Sequence, residues 1–74
     1  MLKGVWSVAL WRGDVVEHRH YCDSEDEAVR YAEDLVKRVW FNAGLQRRSR
    51  RRWVNMRDGI VVEVMNEGEL GNLL

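Results

Sequence analysis

Proline is absent from this chain of 74 residues, and cysteine occurs once, at Cys22. A lone cysteine excludes an intrachain disulfide and points to a reducing, cytoplasmic setting. No apolar run approaches the roughly 20 residues needed to span a bilayer, so a membrane partner is not expected. The N-terminus lacks the apolar stretch and small-residue cleavage site of a signal peptide. No catalytic motif, cofactor fingerprint or complete metal site is present. The chain is therefore read as non-enzymatic, without a cofactor.

Acids are missing from one whole block. Residues 1–37 carry five basic and eight acidic groups, a balance of −3. Residues 38–57 carry seven basic groups and no acid, +7, and residues 58–74 carry four acids and no base, −4. Net charge is zero only because these blocks cancel. Such asymmetry concerns partners and surface fields rather than fold.

With 46% hydrophobic and 32% charged residues the composition is that of a globular chain. The length allows one small domain, assigned to residues 1–66, with a tail at 67–74 expected to be mobile. Four tryptophans (Trp6, Trp11, Trp40 and Trp53) offer large apolar areas for so short a chain.

Residues 4–11 alternate, with Trp6, Val8 and Leu10 on one face and Val5, Ser7, Ala9 and Trp11 on the other. That period of two argues a strand. Arg12-Gly13-Asp14 reads as a turn and Val15–Cys22 as a second strand. A three-residue loop at 12–14 would set Leu10 opposite Val16, Val8 opposite His18 and Trp6 opposite His20.

Ser24-Glu25-Asp26-Glu27 has the form of a capping box, followed by an apolar stripe of Ala28, Val29, Ala32, Leu35, Val36, Val39 and Trp40. The pattern predicts a helix over about 25–42, stopped near Gly44. Leu45 to Ser49 reads as a linker and 53–56 as a strand. Asp58-Gly59 marks a hairpin turn into a fourth strand, 60–65. That last strand is apolar on both faces, so it should lie centrally or under a partner. The expected fold is α+β, β-β-α-β-β, with a four-stranded antiparallel sheet and one helix packed on one face.

The feature left outside this scheme is Arg47, Arg48, Arg50, Arg51 and Arg52. Guanidinium forks match phosphate oxygens, and Trp53 beside them could stack on a base. These six residues form the candidate nucleic-acid site, for DNA or RNA. On the same electrostatic grounds the cluster would suit an acidic protein surface. The bland reading is a solvated loop that balances acids elsewhere in the chain.

A second candidate surface is the outer sheet face, where Trp11, Val15 and Tyr21 form an exposed apolar strip fit for self-association or for a small inhibitor or adaptor. His18, His20 and Cys22 point the same way from one strand. With no fourth ligand they are read as lining the sheet under the helix.

Overall fold

A computed structural model describes residues 5–38 and 44–67. In chain order the elements are β1 (Trp6–Arg12), β2 (Val15–Cys22), α1 (Glu25–Arg38), β3 (Gln46–Ser49), β4 (Arg52–Asn55) and β5 (Ile60–Asn66). All strand pairs are antiparallel, and the sheet runs β2-β1-β5-β4-β3. The α+β class and the single helix agree with the sequence pattern, but the sheet has five strands rather than four. Among the described residues no helix is long and apolar enough to cross a membrane.

The additional strand is the segment read as a linker. Gln46–Ser49 holds no apolar residue, so it carries no periodic signal. It forms a strand because β4 offers a free row of backbone groups: Gln46 pairs with Val54 and Arg47 with Trp53. As an outermost strand covered in arginine, it also discourages pairing with another chain. The connecting Arg50-Arg51 turn has no positive φ, unlike the mirror-image turns that two-residue hairpins favour. A register shift between Arg47 and Ser49 takes up the mismatch in twist.

The first hairpin is tighter than its sequence suggested. Arg12 pairs with Val15 and Trp11 with Val16, leaving Gly13-Asp14 as the loop, with Gly13 at φ 60°. A bulge then shifts the register, so Leu10 meets His18, Val8 meets His20 and Trp6 meets Cys22. Beyond the bulge the pairing is two residues away from the expected one. An even shift keeps every side chain beyond the bulge on its expected face. Gly13 N–H donates to Gly59 C=O at 2.8 Å, tying the two hairpin turns together.

The helix packs mainly across β5, β1 and β2. Its Ala28, Val29 and Ala32 meet Val8, Leu10, Cys22, Trp53, Ile60, Val62 and Val64 in the core. Ser24 caps it, with Glu27 N–H donating to Ser24 Oγ at 3.2 Å. The returning bond of the capping box goes one residue further back, from Asp23 N–H to Glu27 Oε2. The expected helix end and its apolar residues Val39 and Trp40 lie outside the described residues, as does the tail beyond Glu67. Strand β5 is apolar on both faces because it is central.

Candidate functional site

Alternation along β3 and β4 divides the arginine cluster between the two sides of the sheet. Arg47 lies on the helix side, opposite Trp53. Its guanidinium sits 4.6 Å from the Trp53 ring centre and bonds Glu33 Oε2 of the helix at 3.0 Å. It also donates to the carbonyls of Ser49 and Arg50, which braces the turn. Arg50 reaches the first turn of the helix, with Nη2 at 2.7 Å from Asp26 Oδ1 and Nη1 bonded to Glu25. Arg51 pairs with the other oxygen of Glu25 and lies 4.8 Å from the Trp6 ring centre. The carboxylates of Asp26 and then Glu25 raise the pKa of the Arg50 guanidinium.

These three arginines thus clamp the β3–β4 hairpin to the acidic face of the helix. The acids serve two purposes, since Glu25 and Asp26 also suit the positive end of the helix dipole. The −3 and +7 blocks of the sequence meet here. Their opposite signs were the signal available beforehand, but only tertiary structure brings positions 25 and 50 together.

Trp53 is 5% exposed and stacked under Arg47. A base could reach its ring only by displacing that arginine and opening the core. Stacking on Trp53 is therefore set aside, and the candidate nucleic-acid site loses its aromatic platform.

Arg48 and Arg52 differ from their neighbours. Arg52 pairs across to Glu63 in the ladder, on the side away from the helix. Arg48 lines a cleft of about 300 Å³ with Gly44, Gln46, Val54, Asn55, Met56 and Arg57. Neither Arg48 nor Arg57 forms an ion pair among the described residues. Asn55, 3% exposed, donates from Nδ2 to Asp58 Oδ2 at 3.1 Å and accepts from Asp58 N–H at 3.1 Å. A Cβ added at Gly44 would lie 2.3 Å from Asn55 Nδ2, so glycine is required there for close approach. Gln46, Asn55 and Met56, which carry no charge signal, join Arg48 and Arg57 only through the pairing of β3 with β4.

On the outer face, Ser7, Ala9 and Trp11 of β1 lie between Tyr21, Arg19 and Val16 of β2 and Met65, Glu63 and Val61 of β5. Trp11 and Tyr21 share this face as expected, with Tyr21 53% exposed. Val15 does not join them. The tighter turn pairs it with Arg12, whose other partner Ile60 faces the core, so Val15 belongs to the helix side of the sheet end. Ser7 Oγ and Trp11 Nε1 are buried without a hydrogen-bond partner among the described residues.

His18 and His20 sit at the rim of the inner face. His20 stacks on Tyr31 with ring centres 4.0 Å apart, and His18 Nε2 lies 2.7 Å from the Tyr31 hydroxyl. Cys22 is buried beside the helix start, where desolvation, then Glu27 and Asp23, push its thiol pKa up. That environment disfavours a thiolate nucleophile. Among the described residues no three His, Cys, Asp or Glu side chains are grouped to hold a metal ion. The chain matches no family model, no curated protein and no solved structure.

Proposed function

We propose that this chain is a non-enzymatic protein-interaction module that works through the outer face of its sheet, with a second copy of itself as the occupant. One observation carries the reading. The helix covers only one side of the sheet, while the other side gathers Trp11, Val16, Val61, Met65 and the half-exposed Tyr21 on three adjacent strands. Two apolar rows, Trp11 with Val16 and Val61 and Tyr21 with Met65, flank the row of Arg19, Ala9 and Glu63, and apolar strips of this kind mark contact surfaces in soluble proteins. Zero net charge leaves no long-range repulsion between copies, and a core this small gains from association. A heterologous partner, for which the chain would act as a small inhibitor or adaptor, would use the same strip.

Light scattering after size exclusion, over a hundredfold range of concentration, tests the occupant. A dimer that Tyr21→Glu dissociates is the expected result. A monomer at every concentration removes self-association.

A second reading, DNA or RNA contact, is favoured by the arginines that form no ion pair among the described residues. Arg48, Arg52 and Arg57 would supply phosphate contacts, while Arg47, Arg50 and Arg51 would first have to leave their carboxylates. Oligonucleotide binding at two salt concentrations checks it, because each phosphate contact steepens the salt dependence. No binding at low salt would sink it.

A further inference from the structure

We infer that the cleft at the β3–β4 end of the sheet is a binding site for a phosphate monoester of nucleotide type. The inference goes beyond the interaction surface proposed above and does not depend on it, since that strip lies on β2, β1 and β5.

The lining has a one-sided chemistry. Arg48 and Arg57 are donors only, and neither is engaged in an ion pair among the described residues. Asn55 is buried and its carboxamide orientation is fixed from both ends. Asp58 N–H can only donate to Oδ1, and the Asp58 carboxylate accepts from Nδ2. Nδ2 carries two hydrogens, and the second has no acceptor among the described residues. The cleft is thus lined by two guanidinium-bearing side chains and by a buried amide with a donor to spare, residues that suit an anion with several oxygens. Asp58 is the carboxylate bonded to Asn55. It is held by Asn55, does not line the cleft, and leaves the two arginines in excess.

Size and the remaining walls narrow the class. A cleft of about 300 Å³ is at the lower bound of small-molecule sites and roomier than a bare phosphate requires. Val54 and the 78% exposed Met56 form an apolar wall against which a planar base can lie. Gln46 brings both a donor and an acceptor to the same cleft, the combination that reads a base edge. Gly44 keeps the floor open, because any side chain there would run into Asn55.

Calorimetric titration of the full chain at low salt with adenosine monophosphate, adenosine and inorganic phosphate tests this. The expected result is saturable binding of adenosine monophosphate, with adenosine and inorganic phosphate each at least about tenfold weaker. Arg48→Ala and Arg57→Ala should each weaken the nucleotide about tenfold or more, as loss of a charge-assisted bond implies. Arg30→Ala removes the same charge from an exposed helix position and should leave binding unchanged. Circular dichroism establishes that each variant is folded. Absent saturation overturns the inference, as does equal affinity for adenosine or for phosphate, or an equal loss in Arg30→Ala. A single-stranded oligonucleotide that binds when adenosine monophosphate does not would also overturn it. That outcome would favour a polymer contact in place of a nucleotide site.

Discussion

The two faces of the sheet use similar residues differently. On the inner face the aromatic and charged groups are engaged. His20 lies on Tyr31, Trp53 lies under Arg47, and Arg50 and Arg51 are tied to the helix start. On the outer face the hydroxyl of Ser7 and the indole N–H of Trp11 have no hydrogen-bond partner among the described residues, and Arg48 lines a cleft. Arg47 and Arg48 are neighbours in sequence, yet one is bonded to the helix and the other lines a cleft. The pairing of β3 with β4 is the cause: Arg47 sits opposite Trp53 on the helix side, and Arg48 falls in the irregularity that follows.

The sharpest way to break this contrast is at Trp53. If it belongs to the core, Trp53→Ala should cost about 3–5 kcal/mol, enough to unfold a domain of this size or nearly so. Urea melts followed by circular dichroism would read that loss. A change under about 0.5 kcal/mol, typical of surface positions, would mean that the indole is available to partners after all.

A smaller effect separates the two sets of arginines. Arg47→Ala removes an exposed ion pair and a cation–π contact, together about 1 kcal/mol. Arg48→Ala should stay within about 0.5 kcal/mol. Part of the Arg47 contribution should fade in high salt, because its pair with Glu33 is solvent-exposed. Equal effects from both substitutions would erase the distinction drawn here.

The smallest change expected is a gain. Ser7 is fully buried and its hydroxyl has no partner among the described residues, so Ser7→Ala should leave stability unchanged or raise it by up to about 1 kcal/mol. A clear loss in the same melts would reveal a partner for that hydroxyl.

Much of this architecture was legible beforehand. Capping chemistry at Ser24 and Glu27, the helical stripe and the Asp58-Gly59 turn are local signals, and each corresponds to a feature of the fold. The face of each residue from Trp6 to Leu10 was also readable, because parity survives a register shift of two. Strand β3 was not readable. Its residues are polar and its turn lacks Gly, Asn and Asp, so neither period nor turn chemistry announces it. The register near Gly13 was missed for a related reason. The bulge that permits a two-residue loop depends on pairing along the whole hairpin.

Local sequence dictates the elements whose causes lie within a few residues: the Asp58-Gly59 turn, the capped helix, the alternating core and the concentration of positive charge. Tertiary structure decided what that charge does. Glu25 and Arg50 are far apart in sequence, and only the packing of β3 and β4 beside the helix makes them partners. The same packing turns Arg48 and Arg57 toward a common cleft. Charge is a property of composition, but whether it is neutralised is a property of distance, and distance between remote residues is set by the fold.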